Sequence, residues 1–279
     1  MIAGPDGPDP RALTAWAGAV IVIALATDNP ATRALLAVAA LVMLGRGRRA
    51  AGAGRPPVAL LGLAVATSVL LNTLLSHTGN NTLVRLPLWL PGVGGRITLE
   101  AALFGLDIAL GLAACLVAAM TVAVLVEPER LAAALPGPLR RTGAALGAAL
   151  ALVPRLARSI GAIREAQQMR GWRARGLRSW AAVVVPAVLT AVEGSLQLAE
   201  AMEARGFGTG PRTAYRVATR SRGDRARLAC AATALGLFLA ASLTGGDPVW
   251  YPYPSPTGPV LAPAVLGACA LLILGAWLP

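Results

Sequence analysis

Two stretches of this 279-residue chain carry the same local chemistry. One reads Glu165-Ala166-Gln167-Gln168-Met169-Arg170-Gly171-Trp172, the other Glu200-Ala201-Met202-Glu203-Ala204-Arg205-Gly206-Phe207. Each ends in Arg-Gly-aromatic, and the two arginines are 35 residues apart. The order has a physical reason. Glycine just past a helix end takes the left-handed conformation that stops the helix, and an apolar residue after it packs back on the last turn. Arginine in that turn is favoured by the negative end of the helix macrodipole, by about 0.3–1 kcal/mol. Each stretch therefore presents a guanidinium at a defined helix tip. A guanidinium is a planar fork that binds a carboxylate bidentately. One such tip alone is most simply a well-capped helix, whereas its repetition points to docking.

Other candidate chemistry is sparse. Acid–base or metal chemistry needs carboxylates, histidine or a nucleophile gathered in one place. His77 is the single histidine, and Cys115, Cys230 and Cys269 lie far apart inside apolar runs, without metal or redox spacing. Glu100 and Asp107 share one apolar segment but make no ligand cluster. A carboxylate as deep in an apolar run as Asp107 is expensive unless it faces other helices or water. It is expected to form either a buried structural hydrogen bond or a functional contact. The phosphate-cradling G-x-x-x-x-G-K-[ST] loop is absent from the sequence.

The elements that position the two tips follow from composition. Hydrophobic residues make up 56% and charged residues 14%, against about 25% charged in a soluble domain. Apolar runs near twenty residues suit a bilayer, and alternating strand-like segments are lacking, so an all-α polytopic membrane protein is expected. The spans are read at about 12–27, 31–45, 57–76, 97–126, 228–243 and 260–277. The span at 31–45 is short, and Arg46, Arg48, Arg49 and Arg55 follow it as a basic loop. Residues 77–97 and 245–259 are turn-rich, with Trp89, Trp250, Tyr251 and Tyr253 suited to a membrane interface. The stretch before residue 14 is a poor signal-peptide n-region, so the first helix is expected to be retained.

The net charge is +12, carried wholly by arginine. Such a charge suits nucleic acid or an anionic membrane surface, but in this composition it reads as arginine-rich cytoplasmic loops, with no nucleic-acid partner. The positive-inside rule places Arg46/Arg48/Arg49/Arg55 and Arg220/Arg222/Arg225/Arg227 in the cytoplasm, and six spans then place both termini there. Three regions follow: 1–126 with about four spans, 127–227 as a cytoplasmic segment, and 228–279 with about two spans. Within 127–227, Pro154 and Pro186 argue against one uninterrupted helix. Leu152, Leu156, Ile160 and Ile163 trace one amphipathic helix. Leu189, Val192, Leu196, Ala199 and Met202 trace another, with Glu193, Gln197 and Glu200 on its polar face.

These motifs resemble those of the transmembrane (T) components of energy-coupling factor (ECF) transporters, the family that includes the Q subunit of cobalt transporters. The stretch from Leu198 to Gly208, followed by Arg212-Thr213-Ala214-Tyr215, is similar to the family's second motif. Ala166-Gln167-Gln168-Met169-Arg170-Gly171 is similar to the first, with Met169 where alanine is usual. A literal Ala174-Arg175-Gly176 follows, but the glutamine-containing context belongs to Arg170. The resemblance implies a non-enzymatic coupling subunit in the plasma membrane, for uptake of a vitamin, cobalt or nickel. It implies no cofactor in this chain. ATP and Mg would be bound by two ABC-type ATPase subunits, which receive Met169-Arg170-Gly171 and Ala204-Arg205-Gly206. A substrate-binding membrane S component would sit alongside. Two other classes fit less well. A self-contained permease would need polar residues along several spans, and a membrane enzyme would need a reactive cluster.

Overall fold

The computed structural model describes residues 9–51, 58–76, 78–85, 96–135, 139–174, 176–207, 221–246, 249–253 and 258–278. His77, Trp89, Arg55, Arg175, Gly208, Arg212–Tyr215 and Arg220 lie outside them. The chain forms two compact units, Met1–Glu127 with Ala218–Pro279, and Pro128–Val217.

The first unit holds α1 (Pro10–Ala26), α2 (Pro30–Ala51), α3 (Val58–Leu75), α4 (Leu99–Leu125), α9 (Arg222–Leu243) and α10 (Pro263–Trp277). A small antiparallel hairpin, β1 (Thr82–Arg85) with β2 (Arg96–Thr98), leads into α4. Among the described residues, this hairpin is the one departure from the all-helical expectation. Helix α1 is the axis of the bundle and touches α2, α4, α9 and α10, while α3 packs on the outer side of α4. Leu13, Trp16, Val20 and Ile23 of α1 are fully buried. The Trp16 indole N–H donates to the Leu272 carbonyl at 3.0 Å. That approach needs Gly275, where a Cβ would lie 3.2 Å from the Trp16 ring.

Most of the buried apolar positions of this bundle are alanines, among them Ala17, Ala40, Ala109, Ala118, Ala234 and Ala268. Leu25, Leu41, Leu63, Leu70, Leu106 and Leu239 face outward. Small residues inside and large apolar residues outside is the arrangement of helices packed in hydrocarbon rather than in water. Among the described residues, five helical stretches are long and apolar enough to cross a membrane: Pro30–Arg49, Leu99–Leu125, Thr142–Met169, Ala181–Ala204 and Arg222–Leu243. Two of these, in α6 and α8, were not read as spans from the sequence, and the spans read at 12–27, 57–76 and 260–277 correspond to shorter apolar helices, Pro10–Ala26, Leu61–Leu75 and Pro263–Trp277. The chain is an all-α polytopic membrane protein.

Two spans are longer than expected. Helix α2 continues through Arg46, Arg48 and Arg49, so these arginines are helical rather than in a loop. Helix α9 begins at Arg222 instead of near Leu228. Ser221 and Asp224 form a capping box that starts it inside a polar stretch. The described arginines of the two basic clusters, Arg46, Arg48 and Arg49 of α2 and Arg222, Arg225 and Arg227 of α9, lie at one end of the bundle. There the Asp9 backbone N–H donates to Asp224 at 3.2 Å, and Arg227 Nη2 donates to the Leu278 carbonyl at 3.0 Å. Arg46 Nη2 donates to the Trp277 carbonyl at 3.2 Å. The opposite end carries the α1–α2 turn, where Asn29 donates to the Val260 carbonyl at 2.7 Å. It also carries Phe104, Tyr251 and Tyr253 in one aromatic cluster.

The second unit holds α5 (Pro128–Ala133), α6 (Arg140–Met169), α7 (Gly176–Ser179) and α8 (Ala181–Ala204). The helix breaks do not fall at the prolines. Pro154 lies within α6 and Pro186 within α8. Helix α5 packs on α6, and α6 packs on α8. Leu152 and Leu156 of α6 meet Ala191, Gly194 and Leu198 of α8 along a shallow groove. The stripe expected to be the apolar face of α8 is not the one that meets α6. Leu189, Val192 and Leu196 remain exposed within this unit, and Ala191, Gly194 and Leu198 line the groove toward α6 instead.

Candidate functional site

The ends of α6 and α8 have one backbone geometry. At the first, the Gly171 N–H donates to the Gln168 carbonyl at 3.0 Å and the Trp172 N–H to the Gln167 carbonyl at 2.9 Å. At the second, the Gly206 N–H donates to the Glu203 carbonyl at 2.8 Å and the Phe207 N–H to the Met202 carbonyl at 2.9 Å. Both are Schellman motifs in the same register, with Arg170 and Arg205 at the C-cap. Gly171 (φ 84°) and Gly206 (φ 70°) take the left-handed conformation that the motif requires.

The motif alone does not make a docking tip. Helix α9 also ends in one, with Gly245 (φ 70°) donating to the Ser242 carbonyl and Gly246 to the Ala241 carbonyl. There the C-cap residue is Thr244. What sets the other two ends apart is the arginine. Arg170 and Arg205 are exposed, and neither guanidinium has a partner among the described residues.

The literal Ala174-Arg175-Gly176 differs in kind. Gly176 (φ 72°) opens the short α7 rather than closing a helix. Arg175 itself lies outside the described residues. The chain from Arg170 to α8 is held compactly. The Trp172 indole N–H donates to the Ser179 carbonyl at 2.6 Å, and the Trp172 and Trp180 rings meet edge to face, 5.7 Å between centroids. The start of α8 is thereby held beside the first tip. Helix α8 then runs 24 residues to the second, about 36 Å at ~1.5 Å per residue. The two tips stand at opposite ends of one antiparallel helix pair.

Asp107, the other residue singled out from the sequence, is 3% exposed and paired with Arg33 in the bundle. The Arg33 Nε also donates to the Ala24 carbonyl at 3.3 Å, and its Nη2 lies 3.4 Å from Asp28. Arg33 thus fastens α1, the α1–α2 turn and α4 together. Gly111 gives it room, since a Cβ there would lie 3.1 Å from the Arg33 side chain. Arg33 escaped the sequence reading, although a lone arginine at the non-basic end of an apolar segment was a usable signal. Asp224 and Arg227 also form a buried pair, 3.1 Å apart, where only a charged loop was read. Among the described residues no three His, Cys, Asp or Glu side chains gather in a way that could hold a metal ion.

The fold and these tips define a multi-spanning membrane protein with two exposed, arginine-capped helix ends. Residues 5–215 match the cobalt transport protein family, CbiQ. The chain belongs to that family, the T components of ECF transporters, and so to a family of transport proteins rather than of known enzymes. Among curated proteins, none matches it.

Proposed function

We propose that this chain is the coupling subunit of an ECF-type importer. It would transmit ATP-driven motion from two cytoplasmic ABC-type ATPases to a substrate-binding S component that carries cobalt, nickel or a vitamin. The observation that carries the reading is the pair of arginines, without a partner among the described residues, on equivalent helix ends at the two ends of α8, which is about 36 Å long. One small rigid site would need one such tip. Two tips at opposite ends of one helix pair suit two separate receivers.

In this reading each guanidinium enters a groove on one ATPase and pairs with a carboxylate there. Docking costs little ordering, because the Schellman geometry already fixes the arginine's backbone. Closure of the ATPases around ATP and Mg would move the two grooves, and the helix pair would follow. This chain itself supplies no nucleotide site and no catalytic group. The arginine-rich end of the bundle, both chain termini and residues 127–227 are cytoplasmic in this arrangement, as the positive-inside rule requires.

The test is purification in mild detergent from cells that express the intact transporter. Two ATPases should be retained by the native chain and lost from the Arg170→Ala/Arg205→Ala double variant at equal membrane levels. The chain freed of ATPases should not hydrolyse ATP. A cysteine introduced at Arg173 should resist an impermeant thiol reagent in sealed cells, against a background with the native cysteines removed. Retention of ATPases by the double variant, or external labelling at 173, contradicts the proposal.

A further inference from the structure

We propose that the basic end of the bundle binds a phospholipid with an anionic headgroup. The lipid lies in the seam between α2 and α10, with Arg46 and Arg49 on its phosphate and Trp277 beside them. The site is separate from the two helix tips and does not depend on the coupling role.

The seam follows from the residues that each helix turns outward. On α2, Val38, Leu41 and Arg49 are exposed and Gly45 is half-buried, whereas Ala40, Met43 and Leu44 are buried. Val38, Leu41, Gly45 and Arg49 recur at steps of three and four, so they share one face, and the exposed Arg46 stands at its edge. On α10, Leu266, Ala270, Leu274 and Trp277 recur in the same way and are exposed. The two helices pack on each other and run in the same direction. Arg46 meets Trp277 at one end, and Asn29, just before α2, meets Val260, ahead of α10, at the other. Two outward apolar strips therefore flank one lengthwise seam. A Cβ at Gly45 would meet nothing within 4 Å, so the face of α2 is bare just before Arg46 and leaves room for an acyl chain.

Apolar strips alone would meet any lipid, and it is the polar end that selects. The Arg46 guanidinium carbon is 4.4 Å from the centre of the Trp277 ring, and its Nη2 donates to the Trp277 carbonyl at 3.2 Å. That bond caps α10, but it uses one of the five N–H donors of a guanidinium. It also holds the group at the mouth of the seam, where an untethered arginine would spread over many rotamers. Arg49 follows one turn further on, exposed and without a partner among the described residues. Two guanidinium forks one turn apart suit the oxygens of a phosphodiester. Trp277, 58% exposed, is the residue type that settles at headgroup level. A choline or ethanolamine headgroup would bring its own cation against the same two arginines, and like charges discriminate against it. Position matters here, not net charge alone. Arg222 and Arg225 are exposed at the same end, but they stand on α9 and off the seam.

Tryptophan quenching by brominated lipid tests this on the full chain in phosphatidylcholine vesicles. A minor fraction of the lipid carries bromine in its acyl chains, as phosphatidylglycerol in one preparation and phosphatidylcholine in the other. The Trp277 signal is the difference from the Trp277→Phe protein. Attraction of two arginines to an anionic headgroup should make phosphatidylglycerol quench it roughly threefold more than phosphatidylcholine at equal fraction. Arg49→Gln, which removes no contact within the described bundle, should lower that preference at least twofold. Arg46→Gln/Arg49→Gln should abolish it, and Arg46→Lys/Arg49→Lys should keep part of it. Arg222→Gln/Arg225→Gln removes the same charge off the seam and should leave it unchanged. Excess inorganic phosphate should not displace the lipid. Equal quenching by the two lipids in the native chain, or a preference that survives loss of Arg46 and Arg49, overturns the site. An equal loss in the Arg222/Arg225 variant would reduce it to general attraction by a basic surface. Displacement by inorganic phosphate would make it an anion site rather than a lipid site. Each of these last two results also overturns the proposal.

Discussion

Arg205 and Arg227 are 22 residues apart in sequence, yet the two units that hold them use arginine in opposite ways. Arg227 is buried. Its guanidinium donates to Asp224 at 3.1 Å, to the Gly275 carbonyl at 3.2 Å and to the Leu278 carbonyl at 3.0 Å. Arg33 in the same bundle is held by Asp107, Asp28 and the Ala24 carbonyl. Arg205 and Arg170 end their helices in solvent with no partner among the described residues. In the bundle Arg33 and Arg227 close the fold on itself, whereas the two helix tips leave Arg170 and Arg205 open among the described residues. Arginine count and net charge do not separate these uses, whereas burial and local partners do.

The largest effect expected from this contrast is on stability. Arg227→Ala leaves Asp224 buried and deprives two helix-end carbonyls of their donor. Removing one member of a buried pair costs about 3–5 kcal/mol. Purified in detergent, the Arg227→Ala protein should melt far below the native chain, or fail to accumulate. Arg205→Ala should change stability by less than about 0.5 kcal/mol, as is usual for an exposed surface site. If the two variants lost stability alike, the distinction between closed and open arginines would collapse.

Function should respond the other way. Arg170→Ala and Arg205→Ala each remove one half of a charge pair completed only on docking, at about 2–5 kcal/mol when that pair is desolvated. Solute uptake and ATPase retention should fall strongly at unchanged membrane levels. Lysine should restore only part of the loss, because it keeps the charge without the fork. Arg175→Ala should be milder than Arg170→Ala. An Arg175→Ala variant that alone abolished uptake would shift the first tip to Gly176, against the helix-opening role seen for that glycine.

These tips were legible in the sequence because capping is local. Met169-Arg170-Gly171 and Ala204-Arg205-Gly206 contain nearly everything that decides the helix end. The helices of the bundle were legible for a similar reason, since an apolar run declares itself, but α6 and α8 are long and apolar enough to cross a membrane and were read only as amphipathic. The start of α9 was not legible, because its first turn is polar and only the Ser221–Asp224 box marks it. The length of α2 was also misread. Gly45 and Gly47 among arginines suggest a loop, but arginine is a good helix former and the helix carries on to Ala51. Pro154 and Pro186 argued against one uninterrupted helix and the segment is indeed divided, but each proline lies inside a long helix rather than at a break. The Arg33–Asp107 pair lay beyond a local reading, since it joins positions 74 residues apart and depends on which helix faces become neighbours.

A smaller and sharper effect separates the shape of a tip from its use. Alanine at Gly171, Gly206 or Gly245 meets the same left-handed backbone, and each substitution should cost about 1 kcal/mol of local stability. Only the first two should also reduce coupling, by letting the arginine's helix end fray. Gly245→Ala should therefore match the others in a melting experiment and keep normal uptake. Equal uptake defects at all three glycines would mean that general helix fraying, rather than tip geometry, sets the rate.

The smallest expected effect lies between the two classes, at Arg46. Its guanidinium stands 4.4 Å from the centre of the Trp277 ring and donates to the Trp277 carbonyl at 3.2 Å, but the side chain is exposed. An exposed cation–π contact is worth about 0.5–1 kcal/mol. Arg46→Gln should therefore lower stability by less than about 1 kcal/mol. Arg46→Lys should recover most of that, because the attraction is to charge over a ring and needs no fork. Uptake should be unchanged in both, since this guanidinium is occupied within the bundle. The measurement is a paired one, melting temperature in detergent and solute uptake in cells at matched membrane levels. If Arg46→Gln kept its melting temperature but lost uptake, Arg46 would belong with Arg170 and Arg205, and its contact with Trp277 would be a resting position released when a partner arrives.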